Sequence, residues 1–295
     1  MFLDITLRRN RKLIETAFEL HQNGIIEPDT YILDVDSILY NAKCIKKEAD
    51  KYGIKLYFMT KQFGRNPYIA SEIMKLGYEG AVAVDWREAK RLAENGIKLG
   101  HVGHLVQIPT NDIENILLES PEVITVYSVE KAKQISDAAK KMNITQKIML
   151  RVIDKDDILY PAQYGGFYLK ELIENAKKIA DMPNIKLYGI TSFPCFLYNS
   201  NSKSIEKTNN IDTLLKTRVI LENELHFKLK EINTPSATCT STIKKIYSCG
   251  GTHGEPGHGL TGTTPLHAFQ DEVEIPSIVY VSEISHNLDE SCYCY

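Results

Sequence analysis

The chain has 295 residues, 43% of them hydrophobic and 25% charged, which is enough apolar material for the sizeable buried core of a globular protein. Its 35 basic and 38 acidic residues leave a formal charge of -3, so there is no electrostatic footprint for nucleic acid or for an acidic membrane surface, and small-molecule chemistry is the better expectation. No apolar run approaches the roughly 20 residues that cross a bilayer, and the opening "MFLDITLRRNRK" lacks the apolar centre of a secretory signal; the reading is a cytoplasmic protein. Six scattered cysteines without a C-x-x-C pair fit reduced thiols.

In chain order, an amphipathic helix is expected over about Arg8 to Asn23, then a strand at "YILDVD" (31–36). A helix from Ser37 to Tyr52 follows, with Ser37 as its cap and Gly53 as its stop. Strands are expected at "KLYFMT" (55–60), "GAVAVD" (80–85), "GHVGHLV" (100–106), "VITVYS" (123–128), "KIMLRVID" (147–154), "KLYGITSF" (186–193) and "KLKEINTPS" (228–236). "STIKKIYSCGG" places Ile243, Ile246 and Tyr247 on one helical face, and a short strand is expected at about Gly251 to Glu255. Counted from "KLYFMT", eight strands alternate mostly with helices, the pattern of a parallel (β/α)8 barrel. "YILDVD" is surplus to eight and is expected to pair with the β-rich end of the chain. The organisation is therefore a helical extension (1–29), a barrel (30–265) and a β-rich segment (266–295).

Three features carry chemistry. Six glycines fall within "GGTHGEPGHGLTG" (250–262), late in the barrel, where the last two strand-to-helix loops commonly grip a phosphate; a tight crossover that needs positive φ would read the same way. Lys61 closes an apolar strand, either as a solvated strand-end lysine or as a Schiff-base nucleophile at the mouth of the barrel. Glu255 stands between glycines in "HGEPGHG", either as a surface turn or as a carboxylate set against a pyridine nitrogen. His253 and His258 flank it closely enough to tune it or to act as acid or base. His101 and His104, three apart in a strand, would point to opposite faces and hold no shared metal. His286 with Cys292 and Cys294 lacks a second ligand pair, and no metal is expected.

"LYFMTKQFGRNP", "AVAVD", "GHVGHLVQIP", "TSFPC", "NTPSAT" and "THGEPGHGLTGTTPLHA" resemble, in the same order, the fold-type III pyridoxal-phosphate enzymes, the barrel family of alanine racemase and ornithine decarboxylase, and more narrowly the alanine-racemase-like family known as YhfX. The resemblance implies pyridoxal 5'-phosphate as cofactor, bound covalently by Lys61, with Ser236 and the amides of Gly257 and His258 on its phosphate. It places Glu255 where the racemases carry arginine and the decarboxylases glutamate. The ring-stacking histidine of the racemases is replaced by Ser192 and Phe193, and their arginine on the ring oxygen by about Tyr164. Gln163, Tyr164 and Arg65 are then candidates for the substrate pocket, and Lys61, Glu255 and His253 for catalysis. The implied activity is racemisation of an amino acid by α-proton abstraction; a decarboxylase or aldolase of the same fold, or a non-catalytic holder of the cofactor, is the alternative. The racemases continue into a full β domain that lends a tyrosine across a homodimer, so segment 266–295 is expected to be either the start of such a domain or a short form of it.

Overall fold

Asn10 divides the first helical stretch in two. In the computed structural model, which describes residues 2–295, helices run over Phe2–Arg9 and Arg11–Gln22, and Asn10 between them leaves the helical region (φ -146, ψ 54). Its side-chain amide donates to the Asp34 carboxylate (2.8 Å) and to the Pro276 carbonyl (2.9 Å), so a tertiary anchor overrides the helical pattern. The strand Thr30–Leu33 (β1) ends sooner than its apolar run, because Asp34 caps the helix Val35–Lys51 by accepting from the Ser37 N–H (3.0 Å) and hydroxyl (2.7 Å). Ser37, the expected cap, is the donor instead, since a carboxylate can take both bonds at once.

The alternating segments then form β2 (Lys55–Met59), β3 (Gly80–Ala83), β4 (Leu99–Val102), β5 (Val123–Val126), β6 (Gln146–Ile153), β7 (Phe167–Tyr168), β8 (Ile185–Thr191), β9 (Phe196–Asn199), β10 (Ser204–Lys207), β11 (Glu231–Asn233) and β12 (His253–Gly254). Eight of them pair in parallel in the order β5-β4-β3-β2-β12-β11-β8-β6, and a β5–β6 pairing closes the ring. The fold is the expected (β/α)8 barrel. β7 adds a short parallel strand beside β6, and β9–β10 make an antiparallel hairpin after β8; neither was legible as a strand. The helices bury Ile, Leu and Ala against the outer faces of the strands. Inside the ring, Tyr57, Met59, Val82, Val123 and Met149 pack together, and the same alternation turns the polar residues His101, Arg151, Glu231 and His253 inward.

Gly189 of β8 faces Glu231 of β11 in register. A Cβ there would sit 2.5 Å from the Glu231 carbonyl oxygen and 2.6 Å from its Cβ. Backbone on the far side cannot yield, so Gly189→Ala is expected to destabilise the barrel by about 2–4 kcal/mol, read as a lower denaturant midpoint at unchanged slope.

The end of the chain forms β13 (Ile278–Val281), β14 (Ile284–Leu288) and β15 (Ser291–Cys294). β13 pairs antiparallel with β1 outside the barrel, Tyr31 against Tyr280, while β14 and β15 form an exposed hairpin. Among the described residues no helix is long and apolar enough to cross a membrane.

Candidate active site

Past β2 the backbone enters a single tight turn, Lys61–Phe63, closed by Gly64 at φ +67. Phe63 is buried and pins the turn. Beside it, Glu88 ties together the ends of two strands, accepting from the Thr60 hydroxyl after β2 and from the Val84 N–H (2.9 Å) after β3. Lys61 is thereby held at the carboxyl end of the barrel, in the wall of a cavity of about 210 Å³ shared with His104, Tyr160, Phe193, Ser236 and Glu255.

Glu255 follows β12 on the inward side and is almost wholly buried. Its Oε1 accepts from the Asn233 amide and from His101 Nδ1, both at 2.6 Å, and its own N–H donates to the Thr238 hydroxyl (3.1 Å). A carboxylate only accepts, so the His101 proton sits on Nδ1 and Nε2 accepts from the Thr125 hydroxyl at 2.5 Å. Oε2 has no partner. Burial works to raise the Glu255 pKa, but His104, His101 and the hydrogen bonds from His101 and Asn233 outweigh it and bring it down to about 2. The group is a carboxylate at neutral pH.

His101 and His104 do not diverge. β4 ends at Val102, and Gly103 at φ +82 breaks the alternation, bringing His104 back to the side of His101. The two rings meet edge-on at 5.2 Å, and His104 Nδ1 lies 3.8 Å from Glu255 Oε2. Burial, with the nearby positive groups, lowers the His104 pKa to about 3, so its ring is neutral. His104 Nδ1 is a second unpartnered buried atom beside Oε2.

The family model for "alanine racemase, N-terminal domain" matches residues 33–265. The chain belongs to that family. It is 42% identical over 295 residues, all of its own length and 76% of the relative's, to the protein described as uncharacterized protein YhfX of Escherichia coli (strain K12). It is 26% identical over 210 residues to the alanine racemase of Clostridium perfringens (strain SM101 / Type A), 70% of this chain and 51% of that enzyme, and so spans about half the length of that relative. Among solved structures, the D-threonine aldolase from Filomicrobium marinum superposes with a TM-score of 0.66 over 90% of this chain and 71% of that one, at 13% identity, a likeness of fold.

Within this alanine racemase-type barrel, Lys61, Ser236, Glu255, Gly257 and His258 all line the one cavity. Ser236 and Ala237 adopt φ +94 and +51, a strained backbone for residues with a Cβ, and their N–H groups and that of Gly257 have no acceptor among the described residues. The Ser236 hydroxyl donates to the Phe196 carbonyl (2.7 Å). His253, in β12 two residues before Glu255, lies one layer deeper: it stacks on Tyr57 (5.3 Å), bonds to Thr252 through Nδ1 (2.8 Å) and is outside the cavity. Gln163 and Tyr164 also lie outside it, Tyr164 in solvent and Gln163 giving its carbonyl to Arg151 (2.9 Å). Arg65 borders a neighbouring cavity of about 850 Å³ that touches Lys61 from its other side, and its Nε is 3.5 Å from Glu88. Tyr160, Asn233 and Thr238 are the contributors that the motifs did not single out. Asn233 had one signal, its place directly before "TPSAT" at the end of a strand.

Proposed function

We propose that this protein is a pyridoxal 5'-phosphate-dependent enzyme acting on an amino acid, and that the reaction is racemisation at Cα. The observation that carries the reading is the unequal use of Glu255: Oε1 is saturated by two donors, while buried Oε2 has none, in the wall of the cavity that Lys61 also lines. Such an orphaned acceptor fits the N–H of a protonated pyridine. Lys61 Nζ would hold the cofactor covalently, and Ser236, Gly257 and His258 would hold its phosphate. When bound, the cofactor supplies an electron sink for charge developing at Cα. The free Lys61 amine would take the α-proton, and Tyr160, whose phenol burial keeps protonated, would return one. His101 and Asn233 fix the carboxylate, which would hold a proton on the ring nitrogen.

The test is to incubate the protein with pyridoxal phosphate, reduce with borohydride and map the labelled peptide, then to follow α-proton exchange in deuterated water over a panel of L- and D-amino acids. The expected result is label on Lys61 and exchange accompanied by inversion. Absence of label at Lys61 sinks the cofactor reading, and label without exchange leaves a cofactor holder. Glu255 also favours a second reading, cleavage of a bond to Cα other than C–H, because a carboxylate at the ring nitrogen sustains negative charge longer than an arginine would; release of aldehyde or carbon dioxide identifies it. In either reaction Glu255→Gln is expected to retain the Lys61 label and to lose about 10²–10³-fold in rate, as for removal of a preorganised electrostatic contact.

A further inference from the structure

Glu255 Oε2 and His104 Nδ1 are both buried, both unpartnered and 3.8 Å apart. With His101 they offer two imidazole nitrogens and one carboxylate oxygen, all within 4.8 Å of one another and all buried. We propose that His101, His104 and Glu255 form a binding site for a divalent transition metal of the zinc type, and that this ion excludes the cofactor by occupying the same carboxylate.

Two histidines and a carboxylate are the donor set of an open zinc site, with metal–ligand bonds of about 2.0–2.2 Å. Ligand atoms around such a centre stand roughly 3.3–3.6 Å apart, so the 3.8 Å gap between His104 and Glu255 needs a small closure, and the widest of the three separations, up to 4.8 Å, one of roughly an ångström. The fourth position opens on the cavity, since His104 and Glu255 both line it. The surrounding bonds suit the change. As the site stands, His101 carries its proton on Nδ1 for Glu255 and accepts from Thr125 at Nε2. To ligate through Nδ1 the ring moves that proton to Nε2, and the Thr125 hydroxyl turns from donor to acceptor, so no net proton is lost. Asn233 remains on Oε1, as the outer contacts of metal-bound carboxylates do. The ion and a pyridine N–H cannot both use Oε2, and loading by one blocks the other.

The metal half of this proposal is independent of the proposed function; the exclusion half rests on it. The purified full chain is titrated with Co²⁺ as a spectroscopic probe. Ligand-field absorption in the visible is expected for the unaltered protein and for His286→Ala, which removes an exposed histidine of the terminal hairpin. It is expected to be lost, or its affinity lowered at least about tenfold, in His104→Ala and His104→Gln, with circular dichroism checking that both fold. Zn²⁺ is expected to slow pyridoxal phosphate loading about tenfold or more in the unaltered protein, and less than twofold in the His104 variants. No absorption with Co²⁺, or absorption kept by both His104 variants, overturns the site. Loading that ignores Zn²⁺ overturns the exclusion. A Co²⁺ signal without any Lys61 label leaves the metal site standing and removes the cofactor reading alone.

Discussion

Lys61→Ala is expected to abolish the borohydride label and to lower α-proton exchange by about 10²–10⁴-fold, the range that positioned proton transfer contributes, with loss of covalent attachment added to it. On the proposed mechanism Lys61 has two jobs, and no second lysine lines the cavity to take over either of them. Lys61→Arg should rescue neither, since a guanidinium stays protonated and cannot attack a carbonyl carbon. The fold should barely register the change. Lys61 is solvent-facing, and the turn that carries it is pinned by Phe63 and by the Glu88 contacts of Thr60 and Val84. Unfolding free energies within about 0.5 kcal/mol of the unaltered protein are expected, so activity and stability separate cleanly. Partial recovery of exchange on adding a small primary amine would place the missing function at Nζ. Exchange within tenfold of the unaltered rate in Lys61→Ala would mean that another group moves the proton.

The barrel was legible because its signal is repeated. Eight apolar strands separated by amphipathic helices leave few ways to bury both kinds of element, and an error of two residues at a boundary does not change the ring. What local pattern could not supply was direction at a strand end. The alternation rule sends His101 and His104 to opposite faces for as long as the strand lasts, and the strand stops at Val102; one glycine at φ +82 turns the second histidine back beside the first. Depth was hidden in the same way. His253 and Glu255 both point inward from β12, but two residues along a strand is one layer of a barrel, and only Glu255 reaches the cavity. Gln163 and Tyr164 were chosen because the resemblance puts Tyr164 about where the racemases carry an arginine, but they lie in a loop whose path sequence does not fix, and Tyr160 a few residues earlier is the side chain that lines the cavity. Lys61 and Glu255 could be placed at the same end of the barrel because each lies just past a strand, where rigid elements fix the position.

The deeper layer has a consequence for stability. Glu231 is fully buried below Glu255, with Tyr57 donating to its Oε2 (3.1 Å), His253 at 3.9 Å and Oε1 without a partner. Burial, opposed by the Tyr57 hydrogen bond and reinforced by the charges of Glu255 and Glu122, pushes its pKa up to about 8. The folded chain therefore holds a proton on Glu231 that the unfolded chain, with a carboxyl near 4.5, releases. Between those two values the native state binds more protons than the unfolded state, so this group's stabilisation is complete below pH 4.5, declines by as much as about 1.4 kcal/mol per pH unit, and levels off above pH 8. Over the window the decline amounts to about 3–5 kcal/mol. The neighbours act in the opposite sense: His104 and His253, lowered to about 3, weaken the fold as pH falls below 6.5, and Glu255, lowered to about 2, does so below 4.5. Glu231→Gln is uncharged at every pH and still offers an acceptor to Tyr57. It is expected to match the unaltered protein near pH 5 and to exceed it by about 3 kcal/mol or more at pH 8.5, measured by urea unfolding at both values, with the histidine contributions cancelling in the difference. Stability curves that run parallel from pH 5 to 8.5 would show that Glu231 ionises in place, with its charge met from within the barrel.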